Sequence, residues 1–488
     1  MPDEMTAGTF LFTDFYSLTM SQGYFKSTAS NTPPRRAVFE MFFRRQPCQG
    51  GYAIFAGLGT LLQNLSSFTF SGDDIAYLKS LGLFEDDFLD YLKNFKFSGS
   101  LWAADEGTVV FPNEPLIRIE GNLIECQLIE GMLLNTINFQ SLIATKTRRI
   151  WLASGKGSVM EFGLRRAHGM DGALSASRAA WIGGVIGTSN TLAGKLFDIP
   201  VLGTMAHSWV MSFPTEKEAF DAYAEIYPDN TVFLIDTYNS LKSGIHNAIL
   251  AGKKLAEKGK NFGIRLDSGD IQYLSAEVRK MLDKEGFNKA KITVSNELNE
   301  SIIETLVKSN VPVDTWGVGT NLVTGGRDSS FTGVYKLSAC EDSCGQMLPV
   351  MKFSDNPDKT TNPGVKQVWR ISDRNGSPLA DILALDDDEE FCAGGNYCFW
   401  HPSADWRHFS HVIEAEPVPL LKKYIENGVI CNTLPSLHEI RSNSLAAFEF
   451  FDSTYKRQLN PHLYKVSITE KLRKLKLELI NRQGFHST

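Results

Sequence analysis

The chain has no apolar run approaching the ~18 residues that suggest a membrane-spanning helix, although 43% of its 488 residues are hydrophobic. A spanning α-helix is therefore excluded, while material for buried cores is ample. An excess of positive charge is also missing. Forty-nine Lys and Arg stand against 56 Asp and Glu, a net charge of −7 with a sequence pI near 5.8. No global basic field favours nucleic acid, so any phosphate must be met by local clusters. Cysteine is scarce: seven, scattered and odd in number, which fits a reduced cytoplasmic protein and not a disulfide framework. Cys340, Cys344, Cys392 and Cys398 are spaced too widely for a usual zinc knuckle. The opening MPDEMTAGTF carries neither a basic n-region nor a long apolar core, so no secretory leader is expected.

Several catalytic signatures are absent as well. There is no HExxH, no GxSxG and no protein-kinase set. GTSNTLAGKL ends in Gly194-Lys195, but a P-loop would need Gly where Ser189 stands and Ser or Thr where Leu196 stands.

What is present is an alternation of strands and helices. Strand candidates are VMEFGLRR (159–166), GGVIGTSN (183–190), VLGTMAHS (201–208), VFLIDTYN (232–239), GIRLDSGD (263–270), ITVSNELN (292–299) and WGVGTNLV (316–323), with GVYKLSA (333–339) as a possible closing strand. Nearly all are apolar first and polar at the carboxyl end, the asymmetry of βα barrels that carry chemistry on one rim. The expected fold is α/β: an irregular TIM-like βα barrel with an α+β domain built from the N-terminal and C-terminal segments. The expected divisions are 1–122, 123–340 and 341–488. In the first, AVFEMFF (37–43) reads as a strand and AIFAGLGTLLQNL as a helix; in the last, VWRISDRNGSPLADILAL reads as a hairpin turning at Asn375-Gly376.

On the rim, Arg165, Arg166 and Arg265 suit phosphate or carboxylate, or cap carbonyls. Asp236 and Asp267 are able to orient a histidine or hold Mg2+ through water, or serve as N-caps. His207 sits at the end of an apolar run, where a partly buried structural histidine is the plain alternative. GTSN (187–190) and GVGT (317–320) offer backbone N–H groups to an anion, though such turns often hold none.

EFGLRRAHG, GTSNTLAGK, GTMAHSWVMSF, LIDTYNS, GIRLDSGD, VSNELNE and GVGTNLVT occur in this order, with TDFYSLTM and FEMFFRRQP before them and GVYKL after. In these motifs the chain resembles the nicotinate phosphoribosyltransferases from about residue 13 to 340. The resemblance implies ATP-dependent joining of nicotinate to 5-phosphoribosyl 1-diphosphate, an enzyme of the ligase class in NAD salvage that uses Mg2+. It implies that His207 is transiently phosphorylated, with Asp236 orienting it. Phe162 and Tyr16 would flank the pyridine ring, Tyr16 coming from the partner subunit of a homodimer. Arg265 and Thr204 would hold the carboxylate; Arg165, Gly319 and Thr320 would meet phosphate or ribose, and Arg44 the diphosphate. Asp267 joins Asp236 as a candidate for stabilising the cationic ribosyl centre. The similar nicotinamide-using enzymes carry Asp at the position of Asn190, so a neutral Asn190 favours the acid. Rival expectations are a nicotinamide phosphoribosyltransferase, a decarboxylating quinolinate phosphoribosyltransferase, and a non-catalytic binding protein on the same scaffold. The expected partners are small molecules, not nucleic acid or membrane.

Overall fold

The computed structural model describes residues 9–27, 35–354, 359–388, 394–404 and 406–482. Cys392, and with it the four-cysteine grouping, lies outside them. Among the described residues no cluster of three or more His, Cys, Asp or Glu is arranged to hold a metal, and no helix is long and apolar enough to cross a membrane. The chain divides into two units, 1–142 with 330–488, and 143–329. The first junction thus falls inside the helix Glu130–Ala153, which is continuous because nothing in its 24 residues breaks it, and not at residue 122. The second falls at 329 and not at 340.

The 143–329 unit is built on six parallel strands. They are β1 (Ser158–Glu161), β2 (Gly187–Thr188), β3 (Val232–Leu234), β4 (Gly263–Leu266), β5 (Lys291–Val294) and β6 (Thr315–Val318). The hydrogen-bonded order is β2-β1-β6-β5-β4-β3. Most strand residues are buried, as a parallel sheet covered by helices on its faces requires. The irregularity lies at VLGTMAHS. Instead of a full strand it contributes one bridge, Val201 to Thr188; Gly203 and Thr204 then continue without a ladder, and His207 opens a short helix, His207–Met211. The helix Glu216–Ile226 that follows starts at Thr215, whose hydroxyl caps the Glu218 N–H.

The other unit carries antiparallel pairings. Arg36–Phe43 is central in a seven-stranded sheet, between Ile117–Asn122 and Gly333–Glu341. GVYKLSA therefore belongs to this sheet and closes no barrel: its antiparallel register with Arg36–Phe43 matches apolar residues of both strands, with the Tyr335 and Phe39 rings stacked at 4.8 Å. The AIFAG stretch (53–57) is not helical. Ala53–Ile54 pairs with Val109–Val110, and a helix starts only at Leu58, after Gly57 at φ 106°, a left-handed conformation that glycine adopts freely. The hairpin Lys366–Ser372/Pro378–Leu385 forms with Gly376 at φ 83°. Asp373 Oδ1 accepts from the Asn375 and Ser377 N–H groups and fixes its turn.

Candidate active site

The carboxyl ends of the parallel strands surround a cavity of 480 Å³ lined by, among others, Phe162, Arg165, Thr204, Arg265, Asp267 and Thr320. That volume accommodates a small-molecule substrate. Most of its lining residues come from the carboxyl ends of these strands and the turns that follow, while Thr204 comes from the VLGTMAHS stretch, whose Val201 is half exposed.

Arg265 organises the floor. It leaves β4 towards the mouth, and its three nitrogens each find a partner: Nε donates to Ser295 Oγ, Nη1 to Thr204 Oγ1 and Nη2 to Asp267 Oδ1, all at 2.8 Å. A guanidinium has five N–H donors, so this fixation does not exhaust its capacity for an anion. Its centre stands 5.7 Å from the centroid of the Phe162 ring, within cation–π range. Phe162 is placed by its N–H, which donates to Val318 O and extends the β1/β6 pairing. A Cβ at Gly317 would lie 2.7 Å from that ring, so glycine there is what admits it.

Asp267 is held in turn. Ser295 Oγ donates to Asp267 Oδ1 in a short hydrogen bond. Half-burial alone would raise the Asp267 carboxyl, but the Ser295 hydroxyl and the Arg265 charge outweigh it and hold the group below the ordinary Asp value. The opposite oxygen, Oδ2, lies 3.8 Å from His207 Nε2. His207 Nδ1 meets Thr237 Oγ1 at 3.1 Å. The orienting position expected of Asp236 is thus taken by Thr237, the one side chain within hydrogen-bond distance of the ring among the described residues. Asp236 Oδ2 accepts instead from the Asp267 N–H at 3.1 Å and the Ser268 hydroxyl at 2.5 Å, a neighbouring-strand contact that pins the loop carrying Asp267. Its other oxygen, Oδ1, is buried without a hydrogen-bond partner.

On the other wall, Glu161 is buried and shapes the backbone behind Phe162. It accepts from the Gly163 N–H in a short bond, from Ser177 Oγ at 3.0 Å and from Thr188 Oγ1 at 2.5 Å. Arg165 and Arg166, in the turn Leu164–Arg166, are exposed at the rim and line the cavity. Gly319 and Thr320 begin the short segment Thr320–Val323, and Thr320 Oγ1 lies 3.5 Å from Glu297 Oε1. Asn296 is held at φ 130°, a conformation rare for a residue with a side chain, in the same wall.

Asn190 is the clearest departure from expectation. It is 4% exposed and is not among the cavity's lining residues. Its Oδ1 caps the helix Thr191–Phe197 through the Ala193 N–H, while Nδ2 donates to Ser177 Oγ and Ala173 O. A side chain so engaged contributes no atom to the cavity wall. Tyr16 and Arg44 belong to the other unit. There the Tyr16 hydroxyl donates to Glu130 Oε2 at 2.9 Å; burial, with that bond and the Glu130 charge, pushes the phenol up to about 12, so it is a neutral donor. Arg44 extends from the end of Arg36–Phe43, with its guanidinium 6.0 Å from the Phe42 ring centroid.

Ser295, Thr237 and Glu161 were not singled out by sequence reasoning. SNELNE, IDTYN and MEFG contain them, Thr237 next to Asp236 and Glu161 next to Phe162, while Ser295 has no charged or aromatic neighbour to signal it.

Three family models match most of the chain. The nicotinate phosphoribosyltransferase N-terminal domain matches residues 11–138, the nicotinate phosphoribosyltransferase family residues 158–381, and the corresponding C-terminal domain residues 365–476. A nicotinate phosphoribosyltransferase of Bacillus subtilis is 40% identical over 461 residues, covering 94% of this chain and 93% of its own. One from Homo sapiens is 33% identical, covering 97% of both. The crystal structure of human nicotinic acid phosphoribosyltransferase superposes with a TM-score of 0.84 at 31% identity, over 96% of this chain and 99% of that one.

Proposed function

Because this chain belongs to the nicotinate phosphoribosyltransferase family, we propose that its cavity joins nicotinate to the phosphoribosyl group of 5-phosphoribosyl 1-diphosphate with the help of ATP. The enzyme is a nicotinate phosphoribosyltransferase that serves NAD biosynthesis. The observation that carries the residue-level reading is the fixed Arg265 guanidinium beside the Phe162 ring. Together they offer a planar ring a face and its carboxylate a cation, and Thr204 adds a hydroxyl at the same place.

The bond to be made joins the pyridine nitrogen to the ribose anomeric carbon. The bond to be broken joins that carbon to diphosphate, which leaves with the electron pair. Positive charge develops on the ribosyl ring, as in glycoside cleavage. Asp267, kept ionised by Ser295 and Arg265, is the carboxylate suited to stabilise it, and Asp236 holds the Asp267 backbone in place. Arg165, Gly319 and Thr320 meet the phosphoribosyl part, and Arg44 is assigned to the diphosphate. The buried unpartnered Oδ1 of Asp236 fits a single carboxylate ligand to Mg2+, which characteristically keeps waters and substrate phosphates as its other ligands. When bound, that ion offsets diphosphate charge.

His207 is the residue we assign to ATP use. A Thr237 hydroxyl on Nδ1 fixes the ring, and Nε2 is the nitrogen left to attack the γ-phosphorus, with ADP as leaving group. Asp267, at 3.8 Å, stabilises the imidazole when it is charged. The assembly we propose is a cytoplasmic homodimer in which Tyr16 reaches a partner's ring site. An exposed apolar group at that end of the chain supports it: Phe12, Phe15 and Tyr16 are each about half exposed.

The test is formation of nicotinate mononucleotide from nicotinate, 5-phosphoribosyl 1-diphosphate and Mg2+, with and without ATP, in wild type and His207→Ala. ATP acceleration that requires His207 supports the reading. Acceleration surviving in the variant removes the histidine step, and product from nicotinamide alone hands the site to the amide-using activity.

A further inference from the structure

The unit that contains both ends of the described chain has a cavity of its own, 310 Å³ in volume. Its wall is cationic and aromatic. Arg407, His408 and Lys465 contribute the basic groups, Phe409 and Tyr464 the rings, and no Asp or Glu is among its lining residues. This stands out in a chain whose net charge is −7. Arg407 and Lys465 are exposed and have no carboxylate partner among the described residues. Their contacts are instead with rings: Lys465 Nζ lies 4.6 Å from the Phe409 centroid and the Arg407 guanidinium 5.9 Å from that of Trp406. Cations left unpaired beside a concave surface are an anion's electrostatic complement.

The rings are held firmly enough to recognise a planar group. Tyr464 stacks on Phe111 at 3.8 Å and 14°, and its hydroxyl donates to Asp381 Oδ1 at 3.2 Å. That carboxylate is itself fixed by Arg370 at 2.6 and 2.8 Å. Gln46, also in the wall, has a buried side-chain oxygen without a hydrogen-bond partner. Leaving such an acceptor unmet costs stability, which a ligand N–H would recover.

We propose that this cavity is a second ligand site, separate from the strand-end cavity, for a nucleoside phosphate. The base lies against the Phe409 and Tyr464 rings and offers an amine to Gln46, while the phosphate meets Arg407 and Lys465. The volume suits a mononucleotide. The assignment goes beyond the phosphoribosyl transfer and does not depend on it.

The experiment is calorimetric titration of the full-length chain with adenosine 5′-monophosphate, against inorganic phosphate, in an Arg265→Ala background, where the strand-end cavity has lost the cation assigned to nicotinate. Binding that persists there and weakens at least tenfold when Arg407→Glu and Lys465→Glu are added supports the site. Absence of binding, affinity untouched by the double reversal, or phosphate binding as tightly as the nucleotide overturns it. Should the reversed variant not fold, photolabelling of the Arg265→Ala protein with 8-azido-adenosine 5′-monophosphate decides the same question. Label on 401–409 or 463–467 supports the site, and label confined to 143–329 overturns it.

Discussion

Ser295 carries the sharpest prediction, because its one hydroxyl serves two charged groups. Oγ accepts from Arg265 Nε at 2.8 Å and donates to Asp267 Oδ1, and the residue is only 4% exposed. Ser295→Ala removes both bonds and fills no space that water readily occupies. A hydrogen bond to a charged group is worth about 1.5–3 kcal/mol, and ~1.4 kcal/mol is a factor of ten. The expected fall in kcat/KM for nicotinate is therefore about ten- to a hundredfold, most of it in KM, because the guanidinium loses its orientation before any chemistry. The pH dependence gives a signature that a merely loosened fold would not. The Asp267 carboxyl sits below its ordinary value, so its ionised form, with what that adds to stability and activity, is present above the unfolded value and lost as pH falls through the folded one. Burial is the largest influence and acts upward; without the Ser295 hydroxyl less opposes it. The acid limb of the kcat/KM profile should move to higher pH in the variant, while activity near neutral pH is the part best preserved. Steady-state rates of nicotinate mononucleotide formation from pH 4 to 8 measure this. An unchanged acid limb, with KM also unchanged, would show that Ser295 does not position the pair.

Gly317→Ala places a Cβ 2.7 Å from the Phe162 ring, an overpacking that costs about 1–3 kcal/mol; KM for nicotinate should rise and the melting temperature fall by several degrees, and an unaltered KM would separate Phe162 from the ring site. Asn190→Asp exchanges two donated bonds for a buried charge behind the cavity wall, so a lowered melting temperature without a change of base preference is expected, and a switch towards nicotinamide at unchanged melting would restore the charge argument made from sequence. Asp267→Asn should cut kcat well beyond any effect on KM, whereas equal turnover would remove its role at the ribosyl cation. Mixing Tyr16→Ala and His207→Ala proteins under conditions of subunit exchange should recover the ATP-accelerated activity that each lacks alone, and no recovery despite verified heterodimers would refute a shared site.

What the sequence made legible was the part governed by period and position. The strand cores VMEF, VFLI, GIRL and ITV announce themselves by their apolar content, and polar residues that follow three of them, VMEF, GIRL and ITV, line one cavity because parallel strands share a direction. The chain also wrote its turns plainly, as at Asn375-Gly376. VLGTMAHS misled, since an apolar run does not tell a full strand from a segment that touches the sheet at Val201 alone. GVYKLSA misled for a related reason: strand propensity carries no direction, and antiparallel pairing with Arg36–Phe43 took it out of the barrel. The site's internal logic was the least visible. Arg265 meets Thr204 61 residues back and Ser295 30 residues on, and only the fold sets those separations. The same limit explains the exchange of roles between Asp236 and Thr237. Adjacent residues leaving one strand face opposite ways, so one reaches the imidazole and the other the Asp267 backbone. A carboxylate is the more usual orienting partner for a histidine, and chemistry alone favours Asp236. Direction decides for Thr237. Removing the hydroxyl tests this: Thr237→Val should lose most of the ATP acceleration of nicotinate mononucleotide formation while the rate without ATP stays nearly unchanged, whereas full acceleration in the variant would mean that Thr237 does not hold the ring.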